Sequence, residues 1–155
     1  MLNVGDKAPS FELGDHEGKQ HKLDDYRGGW LVVYFYPKDD TPGCTKEACG
    51  FRDSLADFAD LDAAVLGVSA DDASAHQEFA KKYELNFPLL VDPDKSMLEA
   101  YGAWGEKTRF GKTHLGVNRI TYVIDPDGNV AKVWSAVKAD GHADEVRTAL
   151  AELQA

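Results

Sequence analysis

The sequence predicts an α/β protein built around two parallel strands joined by a helix. The run from Leu31 to Tyr36 is apolar and rich in valine and aromatic residues, which is typical of a buried strand. A stripe of apolar residues at helical spacing follows, made of Cys44, Ala48, Phe51, Leu55 and Phe58. Ala63 to Ala70 is a second apolar strand, so the unit is expected to be a right-handed parallel crossover.

Before this unit, two short apolar pieces, Phe11 to Leu13 and His21 to Leu23, predict an N-terminal hairpin ahead of the main sheet. After it, Asp71, Asp72 and Ser74 are signals for the start of a second helix, and Ser74 and Gln77 have the spacing of a capping box. The remaining predicted elements are a strand at 87–91, a helix at 96–101, strands at 120–124 and 130–137, and a last helix with Ala143, Val146, Leu150 and Leu153 on its buried face. The pattern predicts a single domain over residues 1–155, with a central mixed sheet flanked by helices.

Gly102 to Asn118 shows no clear pattern of secondary structure and carries four glycines. It also carries the basic residues Lys107, Arg109 and Lys112, which in an acidic chain could steer an anionic partner or lie near a thiolate. A solvated flexible loop is an equal alternative.

Composition limits the classes of function. The formal net charge of −10 argues against nucleic acid or an anionic membrane as a partner, because both would repel the chain. No apolar run is long enough to cross a bilayer, and the N-terminal residues do not resemble a signal peptide. A cytoplasmic protein with reduced thiols is therefore expected.

The start of the first long helix places a cysteine in its first turn. Thr41 is a suitable N-cap and Pro42 suits the first helical position, where its missing N–H costs nothing. Cys44 then lies at the third helical position, where free N–H groups and the helix dipole favour a thiolate. As a cap, the Thr41 hydroxyl would turn back toward this turn, within reach of the sulfur, and Pro37 could shield the site from water. Cys44 could also be only a small apolar member of the stripe.

The second cysteine, Cys49, lies five residues further along the same predicted helix. Helix geometry puts the two Cα atoms roughly 8 to 9 Å apart. A disulfide does not span much more than about 7 Å. If the two cysteines pair, the first turns of the helix must unwind, which suits a transient disulfide better than a structural one.

The stretch around Cys44 resembles the peroxiredoxins. Pro37, Thr41 and Cys44 match the Pro-x-x-x-Thr-x-x-Cys signature of that family. The residues from Thr41 to Cys49 are similar to its bacterioferritin comigratory protein, or PrxQ, branch, and the likeness extends over nearly the whole chain. The resemblance implies a thiol peroxidase with a thioredoxin-like fold, no metal and no organic cofactor.

The resemblance also implies roles for individual residues. Cys44 would be the peroxidatic thiolate that attacks a hydroperoxide and becomes a sulfenic acid, with Thr41 and Pro37 shaping its pocket. Arg119 would stabilise the thiolate and polarise the peroxide, and Glu47 would orient Arg119. Without the resemblance, Arg119 would be interpreted as a surface residue and Glu47 as an exposed helix charge.

The family mechanism supplies the later steps. Cys49 would resolve the sulfenic acid as an intramolecular disulfide, and thioredoxin or a similar dithiol protein would reduce it. An intramolecular bridge favours a monomer. A second hypothesis is a non-enzymatic peroxide sensor or redox-switched binding protein that uses the same cysteine pair. A metal site is a weaker alternative, because the histidines lack ligand spacing; they are His16, His21, His76, His114 and His142.

Overall fold

A mixed sheet lies at the centre of the structure, a computed structural model that describes residues 1–109, 111–135 and 137–155. In this part of the chain the strands are β1 (Glu12–Gly14), β2 (Gln20–Lys22), β3 (Trp30–Phe35), β4 (Ala63–Ser69), β5 (Leu89–Val91), β6 (Trp104–Arg109), β7 (Lys112–Val117), β8 (Ile120–Ile124) and β9 (Val130–Trp134). The helices are α1 (Pro42–Asp60), α2 (Ala73–Lys82), α3 (Ser96–Ala100) and α4 (His142–Gln154), and a short 3-10 helix covers Leu23–Tyr26.

The central sheet has the strand order β5-β4-β3-β8-β9. β3, β4 and β5 are parallel to one another, whereas β8 runs antiparallel to both β3 and β9. β1 and β2 form the N-terminal hairpin, which lies beside β5. The predictions of a mixed sheet, a parallel crossover through α1 and an N-terminal hairpin are therefore confirmed.

The strands bury side chains on both faces, and β3 divides the core into two layers. Leu31, Val33 and Phe35 pack on one face with residues of α3 and the N-terminal segment. The alternate residues Val32 and Tyr34 point to the other face, where they pack against side chains of α1, α2 and α4. Continuous burial of β3 explains why its sequence is apolar throughout rather than alternating.

The segment from Gly102 to Asn118 was expected to lack secondary structure, and this expectation is wrong. β6 and β7 form an antiparallel hairpin within it, in which Gly105 pairs with Gly116. The residues from Lys112 to Leu115 are exposed, so no alternation of apolar and polar residues marks the strands. Exposed strand residues of this kind do not show the period that identifies a half-buried strand.

The start of α2 also differs from the expected capping box of Ser74 and Gln77. Asp72, one of the expected helix-start residues, is the N-cap, and its side chain accepts a 2.9 Å hydrogen bond from the Ala75 backbone N–H. Gln77 instead donates to the carbonyl of His16 in the N-terminal hairpin. A carboxylate at the N-cap also interacts favourably with the helix dipole, so Asp72 is the stronger cap.

Candidate active site

The site lies where β3 ends and α1 begins. A loop leads from Tyr36 to Thr41, and the Thr41 backbone is extended, with φ −94° and ψ 154°, as expected of an N-cap residue. Pro42 opens the helix, and the Thr45 N–H donates to the Thr41 carbonyl in the first helical hydrogen bond, 2.8 Å long. Cys44 is therefore in the first turn, at the end of a central strand, where α/β proteins commonly bind ligands.

Cys44 is buried, with 1% of its surface exposed. It packs in the apolar cluster beneath α1, near Ala48 and Phe51. Its sulfur also accepts a hydrogen bond from Nη2 of Arg119, at 3.3 Å. The guanidinium therefore places a permanent positive charge beside the sulfur.

Sheet register brings Arg119 to the cysteine although 75 residues separate them. Phe35, the last residue of β3, pairs with Ile120, the first residue of β8. Arg119 precedes Ile120 directly, so its side chain leaves the sheet at the same edge as the loop that leads to Cys44. The space is tight, because a Cβ at Gly43 would lie 3.2 Å from Nη2 of Arg119. A side chain at position 43 would push against the guanidinium.

Glu47 holds the other side of the guanidinium. Its Oε1 accepts a 2.7 Å hydrogen bond from Nη1 of Arg119, and the carboxylate is fully buried. Burial raises the pKa of Glu47 to about 7, although the charge of Arg119 acts to lower it. Burial of Arg119 tends to lower its own pKa, but the charges of Glu47 and Cys44 outweigh burial and raise it.

The interpretation of Glu47 as an exposed helix charge is therefore wrong. A signal for its burial was present in the sequence: Glu47 follows Cys44 by three residues and precedes Phe51 by four. Helical spacing of three and four residues places all three side chains on one face. A carboxylate on a buried face requires a cationic or hydrogen-bonding partner nearby.

Thr41 occupies the N-cap position but does not cap α1 with its side chain. Its hydroxyl donates instead to the carbonyl of Lys38, at 2.8 Å, and closes the loop on itself. The hydroxyl hydrogen is used in this bond, while the oxygen can still accept one. Pro37 is partly buried at the start of the same loop.

Cys49 has a different environment from Cys44. It is a partly exposed free thiol on the continuous helix α1. It lines a groove of about 490 Å³ between α1 and the beginning of α4, together with Lys46, Asp53 and the residues at 139–144. The uninterrupted helix between the two cysteines keeps their Cα atoms roughly 8 to 9 Å apart.

Sequence reasoning missed a buried polar cluster behind the loop. His76 of α2 is fully buried and contacts Asp39, which also accepts a hydrogen bond from the Tyr36 hydroxyl. The spacing of His76 with Phe79 and Ala80 places a polar residue on the apolar face of α2. That position was a signal for a buried partner.

Comparison with known proteins identifies the family. The chain matches the AhpC/TSA family over residues 4–133. It is 47% identical to peroxiredoxin Bcp of Bacillus subtilis over 153 residues, which are 98% of this chain and 97% of that protein. The chain is a peroxiredoxin of the AhpC/TSA family. Its peroxiredoxin fold is thioredoxin-like, as the sequence predicted.

Solved structures place this peroxiredoxin in the bacterioferritin comigratory protein, or PrxQ, branch. One is the bacterioferritin comigratory protein of Xanthomonas campestris, described with its alkyl peroxide reduction activity. It is 40% identical with a TM-score of 0.89, and the match covers 94% of this chain and 92% of that one. A PrxQ mutant of Xylella fastidiosa is 35% identical with a TM-score of 0.95, covering 100% and 99%.

A peroxiredoxin of this branch is a thiol peroxidase, so the prediction of an enzyme is confirmed. The family implies a peroxide substrate and a thioredoxin-like reductant. Among the residues that the structure describes, no group of three or more His, Cys, Asp or Glu side chains could hold a metal ion. Within the same ranges, no helix has the length and apolar character needed to cross a membrane.

Proposed function

We propose that Cys44 is the peroxidatic residue and that the peroxiredoxin reduces hydrogen peroxide and organic hydroperoxides. The observation that carries this proposal is the contact of Arg119 with both the Cys44 sulfur, at 3.3 Å, and Glu47, at 2.7 Å. A thiolate, a fixed cation beside it and a buried carboxylate that orients the cation are the groups that a nucleophilic attack on a peroxide needs.

In the first step the Cys44 thiolate attacks the terminal oxygen of the hydroperoxide. An S–O bond forms and the O–O bond breaks, so the sulfur loses two electrons; because the attacked oxygen keeps its hydrogen, the product is a sulfenic acid. The leaving oxygen takes a proton and departs as water or an alcohol. Arg119 stabilises the negative charge that develops on the leaving oxygen.

The loop from Pro37 to Thr41 shapes the peroxide pocket. The Thr41 hydroxyl donates to Lys38, so its oxygen presents lone pairs to the hydrogen of the incoming hydroperoxide. Free N–H groups in the first turn of α1 can donate to the peroxide oxygens. Pro37 has no N–H and, being partly buried, limits the access of water.

In the second step the Cys49 thiol attacks the sulfenic sulfur, a disulfide forms and water leaves. A disulfide requires Cα atoms within about 7 Å, so the first turns of α1 unwind before the sulfurs meet. A thioredoxin-like dithiol protein then reduces the disulfide by exchange. Since both cysteines belong to one chain, the cycle needs no second subunit, and we propose a monomeric, single-domain cytoplasmic enzyme.

A coupled assay tests the cycle. Peroxide is added to the protein with thioredoxin, thioredoxin reductase and NADPH, and NADPH oxidation is followed over many equivalents. Wild type should turn over continuously and Cys44→Ser should not turn over at all. Oxidation that stops near one equivalent with all components present would contradict an enzymatic cycle with this reductant and support the redox-switch hypothesis.

A further inference from the structure

Asp39 lies inside the loop that connects Pro37 to Thr41, and its side chain points away from solvent. It is 8% exposed. One carboxylate oxygen, Oδ1, accepts a 2.6 Å hydrogen bond from the Tyr36 hydroxyl. The other, Oδ2, lies 2.5 Å from Nδ1 of His76, which has no exposed surface. The proposed chemistry does not use either side chain.

The partners of His76 determine how its protons are placed. Nε2 lies 2.9 Å from the carbonyl oxygen of Leu90, which can only accept, so Nε2 carries a hydrogen. Nδ1 faces a carboxylate at hydrogen-bond distance, so a second proton lies between Nδ1 and Oδ2. A hydrogen bond between Nδ1 and Oδ2 therefore joins His76 to Asp39.

The pair connects the loop to an element outside the reacting segment. His76 belongs to α2, and its Nε2 bond ties it to β5 through Leu90. The opposite end of the same helix holds the next loop residue, because Asp40 accepts hydrogen bonds from the Tyr83 hydroxyl at 2.6 Å and from Lys82 at 2.8 Å. Asp40 has φ +58°, in the left-handed region, which is uncommon for residues other than glycine although aspartate enters it more often than most.

We infer that the Asp39–His76 pair is a positioning element for peroxide reduction, which holds the Pro37–Thr41 loop against α2 in the geometry that receives the peroxide. This inference rests on the proposed function of Cys44. Asp39 is two residues from Thr41, and the Thr41 hydroxyl binds Lys38, so a shift of Asp39 moves the N-cap and the first turn of α1. Misplacement of reacting groups by about 1 Å can slow a reaction about 100-fold.

The pair should act on the first chemical step and not on the second. Oxidation of Cys44 needs the loop and the first turn in a fixed arrangement. Disulfide formation needs the turns between Cys44 and Cys49 to unwind, while the Asp39–His76 anchor lies outside that segment. Loss of the anchor therefore slows peroxide attack without slowing the capture of the sulfenic acid by Cys49.

The chain offers a matched control, because a second buried carboxylate–imidazole pair lies in the N-terminal hairpin region. Asp15 and His21 are 2.7 Å apart, and the Tyr26 hydroxyl lies 2.6 Å from the other nitrogen of that imidazole. Asp15 also accepts two backbone hydrogen bonds, so its removal should disturb the fold at least as much. The backbone of Asp15 pairs with Leu90, but among the described residues the hydrogen bonds of its side chain go to Glu17, Lys19 and His21 and not to the Pro37–Thr41 loop.

The experiment measures two rates in single turnovers after rapid mixing with hydrogen peroxide: oxidation of Cys44 and formation of the disulfide. Asp39→Ala should slow oxidation by about 10- to 100-fold and leave disulfide formation within about threefold of wild type. In Asp39→Asn both rates should stay within about threefold of wild type. The asparagine NH2 group can donate to Nδ1 of His76, and its carbonyl oxygen can accept from the Tyr36 hydroxyl. In Asp15→Ala the rate of Cys44 oxidation should stay within about twofold of the wild-type rate.

A milder pair of variants serves if Asp39→Ala does not fold. Tyr36→Phe removes one hydrogen bond to the Asp39 carboxylate and should slow oxidation by about threefold, whereas Tyr26→Phe should have no effect. Oxidation at the wild-type rate in Asp39→Ala, or equal slowing in Asp39→Ala and Asp15→Ala, would overturn the inference.

Amide hydrogen exchange separates this inference from the proposed function. Asp39→Ala should speed exchange at residues 38–45 by about tenfold or more, and Asp15→Ala should not change it. If wild type consumed no peroxide, the proposed function would fail. If hydrogen exchange at residues 38–45 were unchanged in Asp39→Ala, the inference that Asp39 anchors the loop would be wrong, even if the wild-type enzyme were active.

Discussion

The two cysteines lie on one helix, but their surroundings differ in every respect that affects reactivity. Cys44 is 1% exposed and has a guanidinium at 3.3 Å, which a buried carboxylate holds in turn. Cys49 is partly exposed at the edge of a groove, between the charged residues Lys46 and Asp53. The Cys44 face of α1 carries a fixed pair of charged groups, whereas the Cys49 thiol lies partly exposed.

The difference matches the two steps of the proposed cycle. Attack on a peroxide gains from fixed charges around the sulfur, since they need no rearrangement as the transition state forms. Disulfide formation needs the same helix to open. A partly exposed residue such as Cys49 loses fewer packing contacts than a buried one when the helix unwinds locally. Substitutions on the Cys44 face should therefore slow peroxide attack, and those on the Cys49 face should spare it.

The largest effect is expected from Arg119, which bridges the two partners on the buried face. Arg119→Ala should slow oxidation of Cys44 by about 1000-fold, because it removes the charge that stabilises the thiolate and the leaving oxygen. Arg119→Lys should recover only part of this rate, since an ammonium lacks the fork that binds Glu47 and the sulfur together. Rapid-mixing measurements with peroxide test both, and a rate within threefold of wild type in Arg119→Ala would show that the contact is not catalytic.

Thr41 should have the next largest effect. Thr41→Val keeps the shape of the side chain but removes the hydroxyl that binds Lys38 and faces the peroxide, so oxidation should slow by about 30- to 100-fold. Thr41→Ser keeps the hydroxyl, so its rate of Cys44 oxidation should stay within about threefold of the wild-type rate. Steady-state measurements at low peroxide give the ratio kcat/KM, and equal rates for the Val and Ser variants would contradict a role for the hydroxyl.

Glu47 should have a smaller effect on rate and a distinct effect on stability. Glu47→Gln keeps an oxygen that accepts from Arg119, so oxidation should slow by only about tenfold. The pKa of Glu47 in the folded protein, about 7, lies above its ordinary value of 4.5, so the folded state retains a proton that the unfolded state loses. This contribution to stability is present below about pH 4.5 and is lost as the pH rises to about 7.

Urea unfolding from pH 5 to pH 8 tests the sign of this linkage. Because glutamine does not ionise, the free energy of unfolding of Glu47→Gln relative to wild type should rise by about 2 to 3 kcal/mol over this range. Glu78, an exposed carboxylate of α2, provides the control, since Glu78→Gln should show no such trend. A difference between Glu47→Gln and wild type that does not change with pH would contradict a raised pKa.

Cys49 should have no measurable effect on the first step. In Cys49→Ser, peroxide should oxidise Cys44 at a rate within about twofold of wild type, and the reaction should then stop at the sulfenic acid. A dimedone label traps the sulfenic acid, and mass spectrometry detects the labelled protein. Recycling by thioredoxin should be lost, because no disulfide forms. Continued turnover of Cys49→Ser in the coupled assay would mean that another thiol resolves the intermediate.

The local structure around the cysteines follows from short-range rules that the sequence displays. Thr41 and Pro42 mark the start of a helix, so the position of Cys44 in its first turn could be predicted. The apolar run of β3 and the helical stripe after it predicted the parallel crossover. The β6–β7 hairpin escaped prediction because β7 is exposed from Lys112 to Leu115, so no alternation of apolar and polar residues marks it.

The sequence by itself determined where the helix begins, which two thiols it carries and how far apart they lie, because helix geometry is a function of residue spacing. Only the tertiary structure decided what surrounds them. Arg119 reaches Cys44 across 75 residues because β8 pairs with β3 in one register, and His76 reaches Asp39 because α2 packs behind the loop. Such contacts depend on how strands align and helices pack over long separations, and no local pattern encodes that alignment.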